Sequence, residues 1–512
     1  MTTRNILIWL VPVAVVGLLA LVFIPRLRGT EQTWTPTYWP TQGWRSSPPE
    51  EQGFDSTKLA EGLQAIQQQD FNIHSLLIIR NGFVVADAYF YPYDGRTVHD
   101  LASVTKSVMT TLIAIAADQG QLELDQPLVS FFPDRIIANR DSLKERITVR
   151  HLASMSSGLE CTSERDEETL WQMLASEDWV QFTLDRQVMW EPGTHFVYCS
   201  PGMHLLSASL QQATGMTTLD FARQNLFEPL EIRDVIWPAD PQGFSHGWGD
   251  IYLHPHDMAK LGYLWLNHGQ WEGQQLVSRE WVEDSVKVQI KTGGNDDYGY
   301  GWWITGEEGE YAAIGRGGQR IQVWPALNLM LVMTGEGVDI DDLEPFLTPA
   351  FTGMDQPLPA NPAGVAQLEA VLTAIVQPPA PQPVTPLPET ATAISGQTFV
   401  FESNPLAMEA LGLEFDDTAE ATLHIRSTDD QMESWPVGLD GVYRMSMGDY
   451  DLPRGLRGVW ADDQTFVLEY AGIAHNDHFT FRLHFEGDRA VMEGQETAHE
   501  LGMRFEGRLE KP

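Results

Sequence analysis

A serine and a lysine three residues apart are the side chains of this sequence best placed to do chemistry. Ser103 and Lys106 open an apolar run with helical spacing that stops before Gly120, so the pattern predicts Ser103 at or near a helix N-terminus. Residues at i and i+3 share one helix face, which brings the lysine amine within reach of the serine hydroxyl. A serine becomes nucleophilic when a neighbour takes its proton, and an amine of lowered pKa can do this. The pair therefore predicts an acyl-transfer nucleophile, the alternative being a polar helix start with a solvated lysine.

A tyrosine further along the chain is a candidate second base. Tyr198 follows a turn and an extended segment, residues 191–197, and precedes a predicted helix that begins near Gly202. A tyrosine on such a loop can pass a proton if a nearby ammonium lowers its pKa. The alternative is an ordinary half-buried aromatic side chain.

Two glycine-containing stretches compete to supply the strand edge that would hold a developing oxyanion beside the backbone N–H of Ser103. Residues 291–293 spell Lys-Thr-Gly but lead into a loop, whereas residues 315–319 lead directly into a predicted strand, Arg320 to Trp324. An oxyanion hole needs rigid backbone on a sheet edge. We therefore predict that residues 315–319 form this element and that Lys291 does not.

Four motifs together resemble the class C β-lactamase and penicillin-binding-protein-like serine hydrolases, a group that includes esterases, D-aminopeptidases and 6-aminohexanoate-dimer hydrolases. The resemblance covers about Pro49 to Phe351. The motifs, in chain order, are Ser103-Val-Thr-Lys106, Tyr198-Cys-Ser200, Tyr298-Gly-Tyr-Gly-Trp-Trp303 and Gly315-Arg-Gly-Gly318.

The resemblance implies an α+β fold, with an antiparallel sheet flanked by helices, a helical subdomain and the site between them. It implies Ser103 as the acyl-enzyme nucleophile and Lys106 as its proton acceptor. Tyr198 would pass the proton to the leaving group and activate water. The implied substrate and oxyanion residues are Ser200, Arg316, Gly317, Gly318 and Gln319.

Two departures from the family pattern weaken the case for a dedicated β-lactamase. Ser200 stands where the lactamases carry an asparagine, so an amide that donates and accepts at once is lost. Gly315 or Arg316 stands where they carry the lysine of Lys-Thr-Gly or its histidine variant. An arginine there could still attract a substrate carboxylate.

Composition excludes one class of partner. The chain has 512 residues, a hydrophobic content of 43% and a net charge of −39, so it can form more than one core but offers no basic stripe for nucleic acid. No cofactor and no metal site are predicted. The His254-Pro-His-Asp257 stretch is better explained as the start of a helix from Met258 to Leu266 with surface histidines.

The N-terminus predicts a membrane segment. An almost wholly apolar run from Asn5 to Pro25 is long enough to span a bilayer, and no small-residue cleavage site follows it. An uncleaved signal-anchor is therefore preferred to a removed signal peptide. Arg26 and Arg28 favour a cytoplasmic C-terminal side, but members of the resembled family are commonly exported, so we expect a membrane-anchored protein with an extracytoplasmic catalytic domain.

The composition and the hydrophobic patterning along the chain predict its domains and several local elements. Ser56 to Gln69 is a predicted helix with Ser56 as its N-cap, and Asn81-Gly82 is a predicted hairpin turn. The predicted organisation is a transmembrane signal-anchor (1–28), a tether (29–49), a β-lactamase-like hydrolase domain (50–355), a helix and Pro-rich linker (356–394) and a separate all-β accessory domain (395–512).

Two further groups of residues have open alternatives. In an exported domain we predict that the only two cysteines, Cys161 and Cys199, pair and brace the tyrosine loop, the alternative being two buried thiols. Several tryptophans could line an apolar acyl pocket, although core packing is the default. These are Trp171, Trp179, Trp190, Trp302 and Trp303.

The sequence thus predicts a serine hydrolase that cleaves a small-molecule ester or amide through an acyl-enzyme. A dedicated β-lactamase or D-Ala-D-Ala-type peptidase is the first alternative. A catalytically inert binding or scaffold protein on the same fold is the second, and the presence of Ser103, Lys106 and Tyr198 together argues against it.

Overall fold

A computed structural model describes residues 36–69, 71–161, 168–306, 309–352, 356–416, 419–428, 430–497 and 502–511. The predicted signal-anchor, residues 1–28, lies outside the described residues, as do residues 29–35 of the predicted tether, whereas residues 36–49 of the tether are described. Within the ranges given above, no helix is both long enough and apolar enough to cross a bilayer.

The helices lie almost entirely in the first three quarters of the chain. Their bounds are α1 (Ser56–Gln68), α2 (Thr105–Asp118), α3 (Val149–Ala153), α4 (Glu168–Leu174), α5 (Trp179–Leu184), α6 (Ser200–Thr214), α7 (Thr218–Ala222), α8 (Pro255–Leu266), α9 (Arg279–Ser285), α10 (Ile340–Leu347), α11 (Pro362–Ile375) and α12 (Glu389–Ile394).

One sheet is assembled from strands at both ends of the hydrolase domain. The strands of the whole domain, eight of which belong to this sheet, are β1 (Arg45–Ser46), β2 (Ile73–Arg80), β3 (Phe83–Tyr89), β4 (His99–Asp100), β5 (Tyr252–Leu253), β6 (Gln270–Trp271), β7 (Gln274–Gln275), β8 (Asp297–Tyr298), β9 (Trp303–Ile304), β10 (Tyr311–Gly315), β11 (Gln319–Trp324) and β12 (Leu329–Gly335). The sheet order is β1-β3-β2-β12-β11-β10-β9-β8, and β4–β5 and β6–β7 form separate pairs. All described neighbours in the sheet are antiparallel except β1 and β3. The antiparallel sheet that the resemblance implies is confirmed, apart from this one parallel pair.

The Asn81-Gly82 hairpin is confirmed, because both residues have positive φ, 51° and 77°, between β2 and β3. The predicted N-cap of α1 is wrong by one residue. Asp55 caps the helix by accepting hydrogen bonds from the backbone N–H groups of Thr57 (2.9 Å) and Lys58 (3.1 Å). Ser56 is wholly buried and gives its hydroxyl to Glu50 instead. A carboxylate is the better acceptor at the positive end of a helix.

The last part of the chain forms the predicted all-β domain, and it is a barrel. Its strands are β13 (Gln397–Phe401), β14 (Met408–Phe415), β15 (Glu420–Ser427), β16 (Met432–Gly438), β17 (Arg444–Met447), β18 (Pro453–Trp460), β19 (Thr465–Gly472), β20 (His478–Glu486), β21 (Arg489–Glu496) and β22 (Gly502–Leu509). The order is β16-β15-β14-β13-β22-β21-β20-β19-β18-β17, and β16 also pairs with β18. That last pairing closes the sheet around its own apolar core.

The barrel and the hydrolase domain share buried contacts. Tyr93 of the hydrolase domain packs with Tyr443 and Ile473 of the barrel. Tyr252 and Val98 pack with Leu452 and Ala474 in a second cluster. The loop between β19 and β20, residues 473–477, lies at the centre of this interface.

An ion pair between His478 and Glu336 spans the same interface, so the stability of the interface depends on pH. His478 Nδ1 on β20 lies 3.0 Å from Glu336 Oε2, just after β12. Burial lowers the pKa of His478, but the hydrogen bond and the charge of Glu336 outweigh it and raise this pKa overall. A histidine whose pKa is raised in the folded state contributes its full stabilisation at pH values below its unfolded-state pKa, about 6.5. This contribution is lost as pH rises through the folded-state pKa.

We therefore expect the unfolding temperature of the full chain to differ most from that of His478→Gln near pH 6, and to converge with it towards pH 9. Calorimetric scans of both proteins across this range measure the effect. The ion pair of His256 with Asp87, also 3.0 Å long but with side chains 41% and 36% exposed, provides the control, because His256→Gln should give a smaller difference. A His478→Gln difference that is constant with pH would contradict the expectation.

Candidate active site

Ser103 lies in a short 3-10 turn, Ala102–Val104, that leads directly into α2. The turn is strained, because Ala102 has a φ of 44°, a region that costs a non-glycine residue about 1–3 kcal/mol. Asp100 compensates by accepting the backbone N–H of Ala102 at 2.8 Å. The serine is thus presented on a sharp bend at a helix start, where backbone N–H groups are available.

Lys106 is buried beside the serine, one helical turn further along. Its Nζ atom lies 2.6 Å from Ser103 Oγ and 2.8 Å from the backbone carbonyl oxygen of Trp248. The side chain is only 1% exposed, although a lysine is normally solvated. Both of these partners, a hydroxyl and a backbone carbonyl, are uncharged.

Tyr198 lies close to this lysine. Lys106 Nζ is 4.7 Å from the centre of the tyrosine ring, and the ring stacks against Trp303 with centroids 6.0 Å apart. The tyrosine precedes α6, as predicted, but the helix begins at Ser200, two residues before the predicted start near Gly202. The intervening residue, Cys199, is bonded to Cys161 through sulfur, which ties the tyrosine segment to the chain following α3.

The Tyr298-to-Trp303 motif supports α2 from the other side. Ser107 Oγ donates to the carbonyl of Gly301 at 2.5 Å, and Thr110 Oγ1 donates to that of Tyr300 at 3.1 Å. Gly301 has a φ of 75°, and a Cβ atom there would lie 2.4 Å from Thr110 Oγ1 and 3.0 Å from the Lys106 carbonyl. Only glycine allows this approach, so the motif sets the position of the helix that carries Lys106 and follows the Ser103 turn.

Gly315, at the end of β10, lies against the serine turn. A Cβ atom at this position would be 3.0 Å from the backbone N of Ser103 and 2.5 Å from the carbonyl oxygen of Leu101. The strand β10 itself was missed in the sequence, where only the following strand was predicted. Lys291, in contrast, is exposed in the loop before β8. The sheet edge beside Ser103 is therefore the one that residues 315–319 form.

The remaining predicted substrate and oxyanion residues have different surroundings. Gly317 and Gly318 form the tight turn between β10 and β11, with φ of 81° and 100°. Gln319 is wholly buried and braces this turn, since its Nε2 donates to the carbonyls of Arg316 (3.0 Å) and Gly335 (2.6 Å). Ser200 is 2% exposed and is the first residue of α6.

Arg316 is directed towards the barrel. Its guanidinium lies 3.2 Å from Asp477 and 3.5 Å from Glu496. Two carboxylates of the C-terminal domain therefore compensate the charge that could otherwise receive a substrate carboxylate.

The aromatic candidates divide between core and surface. Trp302 (1% exposed) and Trp179 (8%) are core residues, whereas Trp171 and Trp190 are about half exposed. Trp303 stacks against Tyr198. Core packing thus accounts for Trp302 and Trp179, as the default expects.

The His254–Asp257 stretch begins α8, but the helix starts earlier than predicted, at Pro255 with His254 as its N-cap. His254 and His256 each face a carboxylate, Asp234 at 3.5 Å and Asp87 at 3.0 Å. In the part of the chain that the structure describes, no group of three histidine, cysteine, aspartate or glutamate residues could hold a metal ion.

Sequence reasoning missed three groups around the nucleophile. These are Asp100, the carbonyl of Trp248 and Asn476 of the barrel, whose Nδ2 donates to Asp100 Oδ2 at 2.6 Å. Burial, and after it the charge of Asp250, raise the pKa of Asp100 to about 8. No motif marks the carbonyl or the asparagine, because their roles depend on contacts between residues 142 and 376 positions apart.

The mixed sheet with helices, together with the separate barrel, defines a β-lactamase-like domain followed by an all-β one. The model of the Beta-lactamase family matches residues 59–339, more than half of the chain. The chain therefore belongs to the Beta-lactamase family, a family of serine hydrolases whose members include esterases and amidases.

Individual relatives are distant. The 6-aminohexanoate-dimer hydrolase of Paenarthrobacter ureafaciens is 23% identical over 287 residues, 52% of this chain and 73% of that protein. Esterase EstB of Burkholderia gladioli is 25% identical over 176 residues, 32% of this chain and 45% of the esterase. The solved structure of the octameric penicillin-binding protein homologue from Pyrococcus abyssi has a TM-score of 0.45 at 16% identity. The match covers 87% of this chain and 97% of the chain in that structure.

Proposed function

We propose that this protein is a serine hydrolase that cleaves a small-molecule ester or amide through an acyl-enzyme on Ser103. The observation that carries the proposal is the 2.6 Å separation of Lys106 Nζ and Ser103 Oγ, with the lysine 1% exposed. In its neutral form the amine takes the hydroxyl proton as the oxygen attacks the carbonyl carbon of the substrate. The carbonyl oxygen becomes an oxyanion, which collapses to the acyl-enzyme as the leaving group departs.

Tyr198 serves the second proton transfer in this proposal. Its ring lies 4.7 Å from Lys106 Nζ, close enough for an ammonium to favour the phenolate electrostatically. Tyr198 gives its hydroxyl proton to the departing alkoxide or amine and is left as the phenolate, while Lys106 holds the serine proton as an ammonium. In the second half of the reaction the phenolate takes a proton from the water that attacks the acyl carbonyl, and Lys106 returns its proton to Ser103 Oγ as the acid departs.

The oxyanion is held by backbone. We assign the N–H of Ser103 as one donor and an N–H of the Gly315–Arg316 segment as the other, because Gly315 lies directly beside the serine N. Rigid backbone donors on a sheet edge stabilise the charge that develops in the transition state. The side chain of Gln319 is left in a bracing role, since it is bound to Arg316 and Gly335.

An ester or short amide is favoured over a β-lactam by the surroundings of Arg316. A β-lactam presents a carboxylate, and the guanidinium that could bind it is already compensated by Asp477 and Glu496. The named activities of two matched relatives, a 6-aminohexanoate-dimer hydrolase and an esterase, support the same choice of substrate class.

The test is intact-mass spectrometry of the protein after exposure to a serine-reactive fluorophosphonate. We expect one adduct on the natural sequence, none on Ser103→Ala, and an unchanged adduct on Ser130→Ala, which removes an exposed serine hydroxyl bound to the Pro127 carbonyl. A folded protein without any adduct would refute the proposal. An adduct with penicillin at the same serine, formed faster than with esters, would instead support the β-lactamase alternative.

We also infer that the hydrolase domain is extracytoplasmic and held at the membrane by residues 1–28. The Cys161–Cys199 disulfide supports export, because such bonds persist in oxidising compartments. Protease added to intact cells should then remove the hydrolase domain, and its protection would refute this location.

A further inference from the structure

A loop of the barrel contacts the hydrolase domain at Asp100, three residues before Ser103. This loop, residues 473–477, joins β19 to β20, and its residues contact Asp100 twice. The backbone N–H of Asp100 donates to the carbonyl of Ala474 at 2.8 Å, and Asn476 Nδ2 donates to Asp100 Oδ2 at 2.6 Å. His475 Nδ1 lies 3.1 Å from the hydroxyl of Tyr252, so the loop is anchored on both strands of the β4–β5 pair.

Asp100 transmits these contacts to the serine turn. Its second carboxyl oxygen accepts the N–H of Ala102, the residue with positive φ next to Ser103. The N–H of Leu101 is bound to the carbonyl of Ile251 at 2.9 Å. The strained turn is therefore held in place by residues 100, 251 and 476, and removal of one restraint allows the backbone to relax towards an ordinary conformation.

Asn476 touches the other side of the site as well. A Cβ atom on Gly317 would lie 3.0 Å from the Cβ atom of Asn476, so the asparagine packs against the turn between β10 and β11. One side chain of the barrel thus lies between the backbone that carries Ser103 and the backbone turn that follows Gly315. These are the two segments to which the proposed oxyanion donors belong.

Burial of the Asn476 side-chain amide carries a cost in folding free energy. Asn476 is wholly buried, and its Oδ1 atom has no hydrogen-bond partner among the described residues. An apolar side chain of similar volume would avoid the penalty of an unsatisfied buried oxygen. The retained hydrogen bond to Asp100 is the contribution that an apolar residue could not make.

We propose that Asn476 is a positioning residue for Ser103, acting through Asp100, and that the C-terminal barrel is thereby a necessary part of the active site. The hydrolase domain alone would keep Lys106 on α2 but would not restrain the preceding turn, which carries Ser103 and sets the serine backbone N–H against β10. The expected effect on the reaction rate rests on the proposed function, whereas the expected restraint of the serine turn rests on geometry alone.

The first test uses the full chain with Asn476→Leu, which keeps the branched shape and the number of heavy atoms and removes the amide. We expect the second-order rate of fluorophosphonate labelling to fall about 10- to 100-fold, the effect of a small misplacement of reacting groups. With an ester substrate the loss should be in kcat rather than in KM. Hydrogen exchange of the peptide containing residues 99–106 should become faster.

The matched control is Tyr91→Phe. It removes another hydrogen bond of the same interface, from the N–H of Tyr443 to the hydroxyl of Tyr91 at 3.1 Å, but does not touch Asp100. Its labelling rate and the exchange of residues 99–106 should remain as in the natural sequence. If Tyr91→Phe and Asn476→Leu accelerate exchange equally throughout both domains, the asparagine only holds the interface together and the positioning role is refuted.

A conservative variant supplies a pH readout that general loosening would not produce. Asn476→Asp is nearly isosteric and places two carboxyl groups at hydrogen-bond distance, where they can share one proton but repel when both ionise. The other groups that face Asp100 are Asp250, Asp477 and Arg316, with Tyr252 and His475 beside them. The ratio of the Asn476→Asp labelling rate to the natural rate should approach one at acid pH and should decrease as pH rises.

The outcomes separate the two proposals. If the natural sequence is not labelled, the proposed hydrolase chemistry fails, and exchange of residues 99–106 in Asn476→Leu still decides whether the asparagine restrains the serine turn. If labelling and exchange in Asn476→Leu both stay within twofold of the natural sequence, the positioning role is overturned.

Discussion

Replacement of Lys106 by methionine should lower the rate of fluorophosphonate labelling of Ser103 by about 10³-fold, within the range typical of a lost general base. Methionine has a similar length and fills the space of a side chain that is 1% exposed. It cannot accept the hydroxyl proton across the 2.6 Å that separates Nζ from Ser103 Oγ. Lys106→Arg should be equally slow, because a guanidinium keeps the positive charge but does not deprotonate in proteins.

The chain offers a second buried lysine as a control. Lys144 is also 1% exposed, and its Nζ donates to the carbonyls of Ala138, Leu184 and Arg186. Lys144→Met should lower the unfolding temperature and leave the labelling rate of the folded protein unchanged. A Lys106→Arg variant that labels at the natural rate would contradict proton transfer by Lys106 and indicate that only its charge matters.

A single methyl group at Gly315 should have the next largest effect, a fall of about 10²- to 10³-fold in labelling rate, comparable with the loss of one oxyanion donor. The backbone of Gly315 is extended, with φ −128° and ψ 156°, so alanine meets no conformational strain. The effect comes from contact alone, since the new Cβ atom would lie 2.5 Å from the Leu101 carbonyl and 3.0 Å from the Ser103 N. Backbone atoms cannot rotate away, so the serine turn must move.

Gly294→Ala is the matched control for this prediction, and it also probes the rival stretch, because Gly294 directly follows Lys291-Thr-Gly293. A Cβ atom at Gly294 would have Thr292 Oγ1 as its nearest neighbour, at 3.5 Å, which is an ordinary contact. Labelling and unfolding temperature should both stay at their natural values. Calorimetry on Gly315→Ala should show a loss of stability of about 1–3 kcal/mol, as for other overpacked sites. Slow labelling in Gly294→Ala with normal labelling in Gly315→Ala would reverse the assignment of the oxyanion strand.

Local features of the sequence were predicted accurately where a short-range rule decides them. The turn at Asn81-Gly82 needs positive φ at both residues, and Asn-Gly is the pair that tolerates it best. The alternating strands of the barrel follow the two-residue period of a half-buried sheet. Where two neighbouring residues could serve the same role, as Asp55 and Ser56 at the start of α1, the sequence did not decide, because burial of Ser56 against Glu50 was invisible to it.

The sequence by itself determined the pair at the start of α2. Three residues of helix place Lys106 over Ser103 whatever the rest of the chain does, since the helical repeat alone sets that spacing. It also determined the separate all-β domain, through its pattern of short alternating strands.

Only the tertiary structure decided what surrounds the pair. It placed the Tyr198 ring near Lys106, Gly315 rather than Lys291 beside the serine N, and Asn476 behind Asp100, 376 residues away in the chain. Contacts of this kind depend on how sheets and domains pack, and packing is set by the whole buried surface rather than by any short pattern. For that reason no reactive motif in residues 395–512 could reveal that the barrel loop contacts Asp100, next to the turn that carries the nucleophile.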